Sequence, residues 1–170
     1  MTEMFSIRVA APGDAPGIAR VHVEGWGTSY SGIMPEEFLQ ARSLEKHCAM
    51  WEKNISEKRD LILVAEKGGA VRGFISGGKA REELAGYDNE VYAVYVDKEL
   101  RGLGAGQALM KAFFNRQAGA GARSCALWVL EENPFRRFYE KFGGTLLDFK
   151  KPCVFGGKTL NEVACSWKDI

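Results

Sequence analysis

VDKELRGLGAGQALM, residues 96–110, sets three glycines (Gly102, Gly104 and Gly106) into five positions between a strand-like run and a helix-like run. Upstream, EVYAVYVD (residues 90–97) is apolar at neighbouring positions, the pattern of a central strand covered on both faces. Downstream, Ala105, Ala108, Leu109, Ala112 and Phe113 recur at helical spacing, and Gly119 and Gly121 end that helix. Bare main chain followed by a helix start gathers unsatisfied N–H groups at the positive end of a helix dipole, which suits a phosphate or pyrophosphate. A dinucleotide fingerprint does not fit, because Gln107 stands where its third glycine would be required. A Walker loop fails as well, since Gly106 is followed by Gln107 and Ala108 rather than Lys and Ser/Thr.

Working outward, FSIRVA (5–10) alternates as a first strand, and Pro12 closes it. DAPGIARVHVEGWGTSY (14–30) reads as a helix with Ile18, Val21 and Trp26 inward, and Gly25 and Gly27 predict a break near its end. MPEEFLQARSLEKHCAMWEKNI (34–55) predicts one or two helices, and LILVAEKGGAVRGFISGG (61–78) a hairpin turning on Gly68-Gly69. The polar KAREELAGYDN (79–89) reads as a surface loop. SCALWVL (124–130) is a buried strand, PFRRFYEKF (134–142) a helix stopped by Gly143-Gly144, and TLLDFKKPCVF with KTLNEVACSW a closing hairpin. These elements predict one α/β (α+β) domain over residues 1–170, with hairpins at both ends and a strand–helix–strand–helix passage between them.

Lys and Arg total 23 against 22 Asp and Glu, a net charge of +1, so the broad cationic field of a nucleic-acid binder is missing. The start, MTEMFSIRVAAPGD, lacks the basic end and apolar run of a signal peptide, and LILVA is too short to span a bilayer. Cys48, Cys125, Cys153 and Cys165 lie far apart without metal-ligand spacing. The expectation is a cytoplasmic chain, off the membrane, with no metal and with its thiols buried as small hydrophobes.

Two motifs carry a family resemblance. Arg101-Gly102-Leu103-Gly104-Ala105-Gly106 resembles the Arg/Gln-x-x-Gly-x-Gly/Ala motif of the GNAT superfamily of N-acetyltransferases, and EENPFRRFYEKFGG (131–144) resembles that family's Asn…Phe-Tyr-Glu-Lys-x-Gly signature. The resemblance implies a mixed, largely antiparallel central sheet of six to seven strands with about four helices, binding acetyl-CoA. It places the pyrophosphate on the loop amides of Gly102, Leu103, Gly104, Ala105, Gly106 and Gln107 after Arg101. The pantetheine arm then lies beside Val94-Tyr95-Val96 like an added strand, Asn133 hydrogen-bonds the arm, and Tyr139 sits near the thioester sulfur. Lys98 departs from the family's frequent proline after the strand's Asp, and Arg136 from a small residue.

Acetyl transfer to an alkylamine first needs a deprotonated nucleophile, which near neutral pH costs roughly 4–5 kcal/mol. Glu90, read as sharing a strand face with Tyr92, Val94 and Val96, is the expected base, with His22 as another candidate and Tyr92 as a pocket wall or a proton relay through water. A strand N–H near Tyr95 is expected to stabilise the oxyanion of the tetrahedral intermediate, and Tyr139 the departing thiolate. Trp26, Tyr30, Trp51 and Tyr87 are candidate walls for the acceptor, and His47 reads as surface. The expected activity is acetylation of a small-molecule primary amine by direct attack. A protein N-terminus or lysine as acceptor, and a non-catalytic acyl-CoA sensor, remain open alternatives. The CVFGGKTL hairpin leaves a homodimer open.

Overall fold

The strand upstream of the glycines occupies the middle of a seven-stranded sheet in the computed structural model, which describes residues 4–170. The reading of the extreme N-terminus falls partly on residues 1–3, outside the described ones. The elements run β1 (Ser6–Val9), α1 (Ala15–Tyr30), α2 (Glu36–Gln40), α3 (Leu44–Glu57), β2 (Leu61–Lys67), β3 (Ala70–Lys79), β4 (Asn89–Val96), α4 (Ala105–Gly119), β5 (Cys125–Leu130), α5 (Arg136–Lys141), β6 (Thr145–Phe155) and β7 (Lys158–Trp167). Strand order is β1-β2-β3-β4-β5-β7-β6, and only the β4–β5 neighbours are parallel. Helix α4 supplies the crossover that a parallel pair requires. This is the mixed, largely antiparallel sheet expected, flanked by five helices rather than about four.

Apolar side chains on both faces of β4 explain its central place. Val91, Val94 and Val96 pack with Leu109 and Phe113 of α4, whereas Ala93 and Tyr95 pack with Ile18 of α1 and Trp51 of α3. Leu109 and Phe113 are fully buried, each worth about 1.5–3 kcal/mol of transfer free energy.

Helix α1 corrects one expectation, since it passes through Gly25 and Gly27 without a break. A Cβ at Gly25 would lie 2.6 Å from Cδ1 of Tyr95, so this glycine lets the helix approach the sheet rather than ending the helix. The segment 34–55 resolves into two helices, and Ser43 starts the second by accepting a hydrogen bond from the Lys46 N–H at 3.1 Å. The expected surface loop after β3 contains a short 3₁₀ turn (Glu82–Leu84), whose Leu84 is buried against Ala126 and Ala164. Its polar residues face out while one leucine anchors it.

Candidate active site

The β4–β5 ladder covers only Asn89–Val91 against Cys125–Leu127. Beyond it the two strands diverge, and they wall a cavity of about 510 Å³ that also takes in Leu100, Arg101, the glycine turn, Asn133, Phe138 and Tyr139. Such a gap at a parallel pair leaves main-chain groups without a neighbouring strand. The Asp97 N–H donates to the Arg72 carbonyl at 2.8 Å, so Asp97 faces β3. Alternation along an antiparallel pair then turns the peptide groups of Tyr95 to β3 and those of Val94 and Val96 to the gap. Val96 confirms the direction, because its carbonyl accepts from Arg101 Nη2 at 3.4 Å. The Tyr95 N–H itself is therefore committed to the sheet, and of the strand N–H groups near it the open edge belongs to Val94 and Val96.

The glycine turn continues that edge. Gly102 and Gly104 hold φ of +78° and +85°, left-handed values that side chains resist. The Leu103 N–H is spent on the Leu100 carbonyl (3.1 Å), and Ala108 is the first α4 residue to donate back into the turn, to Gly104 (3.0 Å). Among the described residues, the N–H groups of Gly102, Gly104, Ala105, Gly106 and Gln107 find no carbonyl in the turn, and all five residues line the cavity. Leu103 does not line it; its side chain is exposed. The cradle fits a diphosphate through five residues instead of six.

Tyr139 and Asn133 both line this cavity. Asn133 Oδ1 accepts from the Phe135 N–H at 2.8 Å, which fixes the amide, and its Nδ2 lies 3.4 Å from the Tyr30 hydroxyl. Tyr30 and Tyr95 hydroxyls are 3.4 Å apart. The Tyr139 hydroxyl makes no hydrogen bond within the described residues, and the residue lines the cavity. Desolvation, then the nearby Tyr30 and Cys165, push its pKa above the usual phenol value, so it stays protonated as a donor.

Glu90 lies elsewhere. The β3–β4 register shifts at Ser76/Gly77, inserting Tyr92 as an extra residue, so the alternation restarts after it. Val94 and Val96 therefore face α4, while Tyr92 reaches a second cavity on the α1 and α3 side. Glu90 is completely buried and accepts from the Arg81 backbone N–H at 2.9 Å and from the Arg81 guanidinium. It does not line the main cavity. The period-2 reading missed the bulge, and the carboxylate anchors the loop after β3. Glu90→Gln is expected to weaken folding by about 2–3 kcal/mol, a charged hydrogen-bonded group being lost from a buried site. The turnover of folded enzyme stays within about twofold, the range left to a residue outside the cleft. Denaturant melts beside steady-state rates check this.

The acceptor end is aromatic. Trp26, Tyr30 and Phe155 line the main cavity, and Phe38 packs on Phe155 with ring centroids 6.0 Å apart. Among the described residues, Glu162 of β7 is the one carboxylate lining the cavity. Its Oε2 accepts from Cys153 Sγ at 3.2 Å and lies 3.4 Å from Lys151 Nζ, while Oε1 makes no bond within the described residues. Sequence reading passed over Glu162, although an acid at period two between Leu160 and Ala164 interrupts an otherwise apolar face. Cys153 and Cys48 are half-buried, unlike the buried Cys125 and Cys165.

A second cavity of about 230 Å³ holds His22, Trp51, Asp60 and Ser76, and shares Trp26, Tyr92, Ala93 and Tyr95 with the first. His22 Nδ1 accepts from Trp51 Nε1 at 3.2 Å, and burial, then Arg42 and His47, push its pKa down to about 3. A base so weak holds no proton near neutrality. His47, expected at the surface, is half-buried instead. Tyr87 belongs to a separate cluster with Leu84 and Trp128. Among the described residues no three His, Cys, Asp or Glu gather as a metal site would need, and no helix is long and apolar enough to cross a membrane.

Residues 58–143 match the acetyltransferase (GNAT) domain family. An uncharacterized N-acetyltransferase of Bacillus subtilis, YuaI, is 34% identical over 167 residues, covering 98% of this chain and 95% of that one. The chain belongs to the GNAT acetyltransferase family and is an acyltransferase. Among solved structures, the PaiA N-acetyltransferase of Thermoplasma acidophilum in complex with coenzyme A superposes with a TM-score of 0.76 at 22% identity, covering 99% of each chain. A putative acetyltransferase of Salmonella typhimurium, yncA, with acetyl-CoA gives 0.72 at 20% identity over 96% of this chain and 93% of that one. These structures share the fold.

Proposed function

We propose that this enzyme moves an acetyl group from acetyl-CoA to a primary amine of a small molecule by direct attack. The observation that carries the reading is a set of main-chain N–H groups along one cavity, without partners among the described residues. It comprises those of Val94 and Val96 and those of Gly102, Gly104 and the first turn of α4, and Tyr139 lines the same cavity. An extended amide-bearing arm adds to the free edge of β4 as a strand would, and its diphosphate rests on the cradle. Acetyl-CoA supplies an acetyl carbonyl activated as a thioester. The N–H groups of Val94 and Val96 are placed for the oxygen that gains charge, and Tyr139 donates to the sulfur that leaves.

Glu162 takes the role first assigned to Glu90. It shares the cavity with Tyr139 and with Trp26, Tyr30 and Phe155 of the aromatic end. There it draws in an ammonium and accepts the proton that must leave before nitrogen can attack.

A small acceptor is favoured over a peptide by a bridge across that end. Lys158 Nζ donates to the Ile33 carbonyl at 2.6 Å, and Phe38 packs against Gly156 so closely that a Cβ there would meet it at 2.7 Å. The α1–α2 segment thus closes on the β6–β7 hairpin, where an extended chain would need an open groove.

The test is thiol release from acetyl-CoA across a panel of small amines and peptides. Turnover with at least one small amine, and no acetyl-enzyme formed without acceptor, is expected. Tight acetyl-CoA binding with no acceptor turned over would establish a sensor instead.

A further inference from the structure

The second cavity, of about 230 Å³, contains an acid that the fold leaves unpaired. Asp60 follows α3 and lines the cavity, yet it makes no hydrogen bond or ion pair within the described residues. Arg59 beside it holds Glu57 instead, at 3.5 Å. The buried acids Asp14, Glu90 and Asp97, by contrast, each hold an arginine. A Cβ at Gly78 would lie 2.9 Å from Asp60 Oδ1 and 3.4 Å from the Tyr92 hydroxyl, so carboxylate and phenol converge over one point of β3. The phenol donates its proton to the Lys79 carbonyl at 2.5 Å, which leaves its oxygen to accept. Ser76, two residues before Gly78, shares that face of β3 and lines the cavity. It is only 5% exposed, its hydroxyl has no partner within the described residues, and its oxygen is not sealed off as that of Ser166 is. His22, among the described residues the one basic side chain lining the cavity, is uncharged near neutrality. Burial raises the Asp60 carboxyl above its ordinary pKa, against the pull of Arg59. The fold is therefore less stable for keeping a charge there, and structure alone gives no reason for the acid.

We propose that this cavity is a seat for an organic ammonium group, held on Asp60 with Tyr92 and Ser76 accepting its other hydrogens. An alkylammonium carries three N–H donors, and these three side chains offer it three acceptors. Trp26, Trp51 and Tyr92 line the same space, where aromatic rings suit an alkyl stem and attract a cation. An anion would meet Asp60 as a like charge, and a neutral guest would leave the carboxylate without a counter-ion, so charge selects the class. Met50, which is exposed, also lines the cavity and gives it a mouth at the solvent. The cavity shares Trp26, Tyr92, Ala93 and Tyr95 with the larger one. The same ammonium chemistry thus has two sources, the far end of a diamine acceptor or a separate small amine. The site itself goes beyond the acetyl-transfer reading and is tested by binding without turnover.

The probe is n-propylammonium chloride, titrated into the full chain and followed by NMR at the indole N–H of Trp51, which lines this cavity and not the larger one. Wild type should show a saturable shift with propylammonium and none with propan-1-ol. Asp60→Asn should bind at least about tenfold more weakly and Ser76→Ala at least about threefold, the worth of hydrogen bonds to a charged group. Glu162→Gln, altered in the larger cavity, should stay within about twofold. The melting point of Asp60→Asn should be no lower than that of wild type, which separates a lost site from a lost fold. A shift that propan-1-ol reproduces, or propylammonium binding unchanged in both Asp60→Asn and Ser76→Ala, overturns the proposal. Rates with propylamine and 1,4-diaminobutane then identify the source. A kcat/KM preference for the diamine of about tenfold or more, abolished by Asp60→Asn, puts the far end of the acceptor in this cavity. A preference that Asp60→Asn leaves unchanged, with binding at Trp51 intact in wild type, marks a separate amine. Turnover of neither compound would count against the acetyl-transfer reading and leave the ammonium site standing on the titration.

Discussion

Tyr139→Phe is expected to lower kcat by about 10²-fold, the range of a donor acting only in the transition state, and to leave the KM for acetyl-CoA within about threefold. The split follows from where the hydroxyl is and what it touches. It makes no hydrogen bond within the described residues, so its removal orphans no partner and leaves the ring packed with Phe138 and Phe142. A purely structural tyrosine would show the opposite pattern, with a falling melting point and an unchanged kcat. Burial raises the phenol's pKa, which makes complete proton transfer to a thiolate of ordinary pKa near 8.5 still more uphill. The gain must come from a hydrogen bond to the developing charge. Donor thioesters with better leaving groups should therefore narrow the gap between wild type and variant. A kcat unchanged in Tyr139→Phe, measured at saturating acetyl donor, would remove Tyr139 from the chemistry.

The legibility of this chain divides along the range of the interactions. Element types were readable because they are local. Alternation in β1, the apolar runs of β2 and β3, the helical spacing of Ala105 through Phe113, and the glycine pairs at 68–69 and 156–157 each carry their own signal. The glycine turn with its free N–H groups was readable for the same reason, being one loop and one helix start. What failed was non-local. Gly25 looked like a helix breaker because its neighbour, the Tyr95 ring, is 70 positions away in sequence. Glu90 looked like an active-site carboxylate because a bulge, set by pairing with β3, moved the faces of β4 out of step. Glu162 was passed over because it matters only once strand β7 is folded so that it shares a cavity with Trp26 and Tyr30 of α1.

Glu162→Gln should lower kcat/KM for the amine by about 10²–10³-fold at neutral pH, within the range of general bases, and should leave acetyl-CoA binding unchanged. The pH dependence separates this role from simple attraction of a cation. Without a base the variant uses only the free-amine fraction, so its kcat/KM should climb about tenfold per pH unit until the pH reaches the amine's own pKa. The wild type, whose carboxylate takes the proton inside the cavity, should flatten well below that point. Gln keeps the size and the hydrogen-bonding reach of Glu, so the Cys153 and Lys151 contacts limit any structural loss. Lys151 then loses one acid but retains Glu83 at 3.5 Å. A Glu162→Gln enzyme whose deficit is the same at every pH would place the carboxylate in binding only. A deficit of less than about threefold, the scatter expected of a surface change, would remove it from the reaction and return the search for a base to Asp60 and Tyr92 in the adjoining cavity.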